Sequence, residues 1–335
     1  MLEDDDEALA RIAEMPMVIE NMIPAQSYGY FFGESGVGKS FVALDVAHSV
    51  ATGRPWLGAD MFKVEDAGLV VYVAGEGANG LRVRKKAIEQ ETGIEAPLLR
   101  ILPAAPLMDT GDAHLVAETF KELERRLGEK VKLVVVDTLS QCAEGEQNSA
   151  TDMAKFVHGC AEIQSNGAAV VVIHHSGLSD KDRMRGSTNL KAPADFEFCV
   201  KGGDGLLSVK QTKNKDEELL PPIKLKTRKV EIDGLVKRNG EPFTSLVVEP
   251  ANLADELNAS RKLSENETTL LGIIKEMAVD TNGHVTNEDA RTAFYEAAKG
   301  KTGEAKRKAF ARALKSLAER QLLVVEDDYI VIHST

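Results

Sequence analysis

Gly33-Glu34-Ser35-Gly36-Val37-Gly38-Lys39-Ser40 fits the phosphate-loop pattern G-x-x-x-x-G-K-[ST] at every fixed position. Its flanks suit such a loop. Tyr28-Gly29-Tyr30-Phe31-Phe32 reads as a short buried strand before it, and Phe41-Val42-Ala43-Leu44-Asp45-Val46-Ala47 as a helix after it. A strand, a glycine-rich turn and a helix start aim a row of backbone N–H groups and the positive end of a helix dipole at one anion. Residues 33–41, from Gly33 through Glu34, Ser35, Gly36, Val37, Gly38, Lys39 and Ser40 to Phe41, are therefore read as a phosphate cradle. Lys39 is placed to reach the β- and γ-phosphates, and the Ser40 hydroxyl to take a position on Mg²⁺. The chain is expected to bind a nucleoside triphosphate.

Outward from the loop, apolar runs alternate with amphipathic stretches. Residues 68–74, 98–102, 131–136 and 168–173 read as strands, and residues 81–92, 113–127 and 151–165 as helices. Fully apolar strands between helices argue for a mostly parallel sheet covered on both faces, with ligands beyond the strand C-termini. After Phe196 the pattern shifts to strands at 196–201, 205–212, 223–232 and 244–249 with turns such as Gly202-Gly203-Asp204-Gly205, an antiparallel extension at one sheet edge. Residues 6–15 read as a short helix or a frayed arm.

The C-terminal segment stands apart. Residues 267–279, 286–299 and 305–320 read as three helices, and residues 322–326 with 329–332 as a hairpin. Three helices and a terminal hairpin follow the winged-helix order. The expected domains are an N-terminal arm (1–16), an α/β core (17–250), a linker (251–266) and a winged-helix-like domain (267–335).

At 335 residues, a large domain plus a small one is the natural division. Hydrophobic content of 43% and charged content of 28% describe an ordinary globular protein. Cys142, Cys160 and Cys199 form no C-x-x-C, so neither a disulfide framework nor a cysteine zinc site is suggested, and a reducing, cytoplasmic location fits. The start is acidic, unlike a secretory signal, and no apolar run approaches membrane-spanning length. The net charge is −12, yet from Arg261 onward there are 12 basic and 12 acidic residues. Within Lys299 to Arg320 there are 8 basic and 2 acidic residues, a basic helix on an acidic protein. Such a helix suits a restricted DNA surface, and a protein contact is the other reading of the small domain.

Three further groups fall where the parallel sheet would end, and two more lie in later loops. The strand at 131–136 runs into Asp137, a carboxylate placed to hold the Mg²⁺ shell. Val73-Ala74-Gly75-Glu76-Gly77 brings Glu76 to the same crevice, where it can orient the attacking water or be a solvated turn residue. Ile173-His174-His175 ends another strand, and an imidazole there can donate to a γ-phosphate and sense its loss. Adjacent strand residues face opposite ways, which argues against both histidines holding one metal ion. Arg183 to Thr188 and Lys210 to Lys215 are either solvated charges or cations supplied to a neighbouring subunit's γ-phosphate.

These pieces together resemble the plasmid and phage RepA-type ring helicases of the RecA/DnaB-like ATPase superfamily. The resemblance rests on Gly33 to Ser40, Val71 to Gly77, Leu133 to Leu139, Ile173 to Ser176 and Arg185 to Thr188, in the family's order and at similar spacing. Thr52 to Gly58 is also similar to phage members. The resemblance implies a RecA-like core assembled as a ring, usually a hexamer, with ATP and Mg²⁺ between subunits. It implies Glu76 as catalytic carboxylate, Asp137 as Mg²⁺ ligand and His175 as γ-phosphate sensor where many relatives have Gln. It further implies Arg185 as an arginine finger acting in trans and Arg84 as a second, with Lys85 as the alternative. The expected partner is DNA: single strands through the ring, past the loops at 140–150 and 177–184, and duplex at the winged helix. Neither loop carries an aromatic for base stacking. An ATP-dependent DNA-binding assembly switch, or a regulatory ATPase without unwinding, is the alternative.

Overall fold

A computed structural model describes residues 4, 16–65, 67–75, 77–103, 110–143, 149–177, 188–203, 205–252, 255, 263–280, 285–298, 302–319, 322–326 and 328–332. The chain divides into two compact units, Met1–Asn252 and Leu253–Thr335.

In the first unit a small antiparallel pair, β1 (Met17–Ile19) and β2 (Ile23–Pro24), precedes the main sheet. Next come β3 (Tyr28–Gly33), α1 (Lys39–Thr52), β4 (Leu69–Ala74), α2 (Ala78–Thr92), β5 (Leu99–Pro103) and α3 (Thr110–Leu127). They are followed by β6 (Val131–Asp137), α4 (Leu139–Cys142), α5 (Ala150–Ser165), β7 (Ala169–His175), α6 (Thr188–Lys191) and β8 (Phe196–Gly203). The unit closes with β9 (Leu206–Asn214), β10 (Ile223–Val236) and β11 (Pro242–Pro250).

These form a nine-stranded sheet in the order β11-β10-β9-β8-β3-β7-β6-β4-β5. The pairs from β8 to β5 are parallel, and those joining β8, β9, β10 and β11 are antiparallel. The sheet is thus mostly parallel with an antiparallel extension, a RecA-like P-loop arrangement. One expectation needs correction. The antiparallel part does not begin at Phe196, because β8 runs parallel to β3 with Phe196 opposite Gly29. The Phe196 ring occupies the place where a Cβ on residue 29 would sit, so glycine is needed there for the strands to pair.

Period-two alternation divides the buried residues between two faces. On one face Phe31, Val70, Tyr72, Leu133, Val135, Val171 and Ile173 pack against α1 and α2. On the other Tyr30, Phe32, Val71, Val73, Val134, Val136 and Val172 pack with Phe120 of α3 and with Met153, Phe156 and Ile163 of α5. A strand buried on both faces has no polar positions to offer, which is why β4, β6 and β7 are legible as apolar runs. The antiparallel extension also packs on α1 and α2. The Gln90 side chain bonds the β10 backbone twice, donating to Glu231 O (2.9 Å) and accepting from Asp233 N (2.8 Å).

The second unit contains α7 (Glu265–Asp280), β12 (Val285–Thr286), α8 (Asn287–Ala297), α9 (Gly303–Glu319) and the hairpin β13 (Leu323–Glu326)–β14 (Tyr329–Ile332). Its three-stranded sheet has the order β12-β14-β13. Leu270, Ile274, Phe294, Phe310, Leu317 and Ile330 form a separate core. Two caps set its helix starts. The Ser264 hydroxyl accepts from Glu267 N while the Glu267 carboxylate accepts from Ser264 N, and the Thr286 hydroxyl accepts from Asp289 N. No helix among the described residues is long and apolar enough to cross a membrane. The expected N-terminal arm at 6–15 lies outside the described residues.

Candidate active site

The strands β3, β4, β6 and β7 end side by side, at Gly33, Ala74, Asp137 and His175. The loop after β3 turns sharply into α1 through Gly36 and Gly38, whose φ angles are 76° and 104°. An L side chain at either position would be strained, and Gly38 is the N-cap of α1. Gly33 is constrained differently: a Cβ there would run into the carbonyl oxygen of Val200 on β8. The loop therefore lies tight against the sheet, with its backbone amides at the start of a 14-residue helix.

Lys39 is the first residue of that helix and is 6% exposed. Its Nζ donates to the carbonyls of Glu34 (2.7 Å) and Gly33 (3.1 Å). Burial pushes the ammonium pKa down from its usual value, and the nearby Asp137 carboxylate opposes that shift. Asp137 is itself buried and accepts a 2.7 Å hydrogen bond at Oδ2 from the Tyr72 hydroxyl. The Ser40 side chain lies close to the Tyr72 hydroxyl. The phenol is fully buried, and its pKa is raised well above 10.0, first by burial and then by Asp137. Tyr72 thus fixes Asp137, which with the neighbouring Ser40 is read as a Mg²⁺ ligand. Their oxygens suit a hard cation, which would neutralise phosphate charge there.

Tyr72 was not singled out from the sequence. The available signal was a lone phenol in the otherwise apolar strand Leu69–Ala74, because a buried tyrosine hydroxyl needs a partner.

His175 lies opposite Gly33 in the parallel register, and Ser176 N donates to Gly33 O at 3.0 Å. The alternation separates the two histidines: His174 is fully buried, whereas His175 lines the cavity over the phosphate loop. Among the described residues, no group of three or more His, Cys, Asp or Glu side chains could hold a metal ion.

That cavity measures about 430 Å³ and is lined by Ser35, Gly36, Gly38, Lys39, Ser40, Phe41, Asp137 and His175, together with Gly77, Leu81, Arg84, Thr138 and Ile173. Arg84 therefore lines the cavity of its own chain's phosphate loop, with its guanidinium carbon 4.3 Å from the centre of the Phe41 ring. Lys85 is engaged elsewhere, with Nζ donating to Leu99 O (3.1 Å) and lying 3.6 Å from Glu89. Glu34 and Val37 belong to the loop but do not line the cavity. Glu76 and Arg185 lie outside the described residues, as do Arg183, residues 144–148 of the loop at 140–150 and residues 178–184 of the loop at 177–184. Gly75, just before Glu76, donates from its N to Asp137 O (2.6 Å), and a Cβ on it would strike the Gln141 side chain. Close packing of the β4 and β6 ends thus explains that glycine.

The arrangement can bind a triphosphate through amides, an ammonium and a guanidinium, beside a carboxylate and a hydroxyl fit for a divalent cation. The family model described as an AAA domain matches residues 1–181, more than half of the chain, and spans the phosphate loop, β4, β6 and β7. This site and that match together show that the chain belongs to the AAA domain family of P-loop ATPases.

Proposed function

We propose that the protein is an ATP-hydrolysing ring motor of the RepA helicase type that acts on DNA in plasmid or phage replication. The observation carrying this reading is the convergence of Lys39, Ser40, Arg84, Asp137 and His175 on one cavity at the ends of adjacent parallel strands. In this reading the loop amides and Lys39 hold the phosphates, and Ser40 and Asp137 hold Mg²⁺, kept in place by Tyr72. Glu76 follows β4 and would polarise the attacking water, while His175 would donate to the γ-phosphate and register its departure. Arg185, supplied by the next subunit of a hexamer, would stabilise charge on the transferred phosphoryl group.

The second reading is an ATP-dependent assembly switch that binds duplex DNA without unwinding it. It is favoured by α9, on which Arg307, Lys308, Arg312 and Lys315 are all exposed. We read the second unit as a winged helix with α9 as its DNA-facing helix.

One experiment separates the readings: ATPase rate without DNA, with single strands and with duplex, beside fork unwinding, with Lys39→Ala as control. Stimulation by single strands together with unwinding supports the motor. Duplex binding without unwinding supports the switch, and no response to DNA would sink both.

A further inference from the structure

The phosphate loop is held by more than its own turns. Gly33 at its entry and Gly38 at its exit both rest on the β8–β9 hairpin. A Cβ on Gly33 would strike the Val200 carbonyl of β8, and a Cβ on Gly38 would lie 3.3 Å and 3.4 Å from the two methyl carbons of Leu207 on β9. Leu207 is buried and belongs to the core on the α1 side of the sheet. It does not line the phosphate cavity, so it meets the loop without reaching the ligand space.

The hairpin is shaped around that side chain. Gly202 lies opposite Leu207 in the antiparallel register, and a Cβ on Gly202 would come 2.6 Å from Leu207 Cδ2 and strike the Leu206 carbonyl. Glycine at 202 thus leaves the leucine its place. The turn is pinned to β10, because Gly205 O accepts from Thr227 N (2.7 Å) and from the Thr227 hydroxyl (3.3 Å). Leu207 also pairs with Leu225 across the same ladder.

We infer that Leu207 is a positioning residue for triphosphate binding. The inference rests on the reading of residues 33–40 as a triphosphate cradle. Gly38 is the N-cap of α1, at φ 104°, so its conformation sets the direction of the amides that open the helix. A glycine has no side chain to restrict it and samples many backbone conformations when unsupported. The Leu207 isobutyl group fills the volume beside Gly38 and removes those alternatives before the ligand arrives. A loop ordered in advance binds without the cost of ordering it. Leu207 acts on the phosphates only through Gly38.

The test is titration calorimetry of the full chain with Mg·ATP and with Mg·tripolyphosphate. Leu207→Ala should weaken both ligands by the same factor, about tenfold, as the binding-competent loop falls to about a tenth of the population. In steady-state assays KM should rise while kcat stays within about twofold, since saturating ATP restores the ordered loop. Leu207→Met, which conserves volume, should keep both affinities within about twofold of wild type. Val50→Ala removes an equally apolar buried side chain at the far end of α1. It should lower the thermal unfolding temperature yet leave both affinities within about twofold, which separates positioning from general stability. Leu207→Val gives the same pattern at smaller size and serves if Leu207→Ala does not fold. Unchanged affinities in a folded Leu207 variant, an equal loss in Val50→Ala, or a fall in kcat with KM unchanged would overturn the role of Leu207. Failure of the wild-type chain to bind either ligand, or undiminished binding by Lys39→Ala, would instead defeat the phosphate-loop reading on which it rests.

Discussion

The Tyr72 hydroxyl sets how firmly the metal-facing oxygens of the site are held. It donates to Asp137 close to Ser40, and no water can replace it cheaply in a fully buried position. Tyr72→Phe keeps the ring and the packing on β4 but leaves Asp137 without this donor. Partners that orient metal ligands are worth about 10–100-fold in metal affinity. We therefore expect the Mg²⁺ concentration giving half-maximal ATPase activity to rise at least about tenfold in Tyr72→Phe, with thermal unfolding showing a folded protein. An unchanged Mg²⁺ dependence would remove Tyr72 from the site. At this scale the phosphate loop was fully legible in the sequence, because its glycines and Lys39 are required by local backbone geometry. Tyr72 was not, because its partner Asp137 lies on β6, and only the fold brings the two together.

Among the elements, α1 carries a second polar group away from the loop. Asp45, His48 and Ser49 are buried on it. The His48 ring meets Ile94 O at 3.0 Å through Nε2, and burial lowers its pKa. Burial also raises the Asp45 pKa from 3.8 to about 6, against the opposing pull of Arg54 and of the nearby Trp56. Because the folded-state pKa is the higher one, the native state retains a proton that the unfolded chain releases. Asp45 then costs nothing below about pH 4, costs progressively more between pH 4 and 6, and costs a constant amount of about 3 kcal/mol above that range. Asp45→Asn should remove this pH dependence. Urea unfolding at pH 5 and 7.5 should show the substitution more favourable at pH 7.5 by about 1 kcal/mol, and an equal effect at both pH values would refute the buried-proton account. Elements were legible where burial on both faces forces an unbroken apolar run, as in β4, β6 and β7. The parallel pairing of β8 was hidden because its exposed C-terminal half leads directly into a hairpin signal. The two-residue strand β12 is too short to carry any period.

Across the whole molecule, charge is divided as the two compact units are. Of the net charge of −12, Met1–Asn252 carries −10 and Leu253–Thr335 only −2, so the first unit repels a polyanion at long range far more than the second. Function legible at this scale stops at the ATPase, since the phosphate site identifies a hydrolytic core and the same core serves many tasks. What the second unit binds depends on which side chains α9 presents. Its buried stripe is Phe310, Ala313 and Leu317, at helical spacing, and the exposed positions between them include Arg307, Lys308, Arg312 and Lys315. If that face lies along a duplex backbone, each cation that neutralises a phosphate releases a counterion and contributes about 0.9 to the slope of log affinity against log salt. Arg307→Ala combined with Arg312→Ala should then weaken duplex binding and reduce the slope by about 2, with ATP affinity and DNA-free ATPase rate unchanged. Fluorescence anisotropy of a labelled duplex across a salt series measures both quantities. An unaltered slope would show that α9 does not contact DNA phosphates and would turn the second unit toward a protein partner.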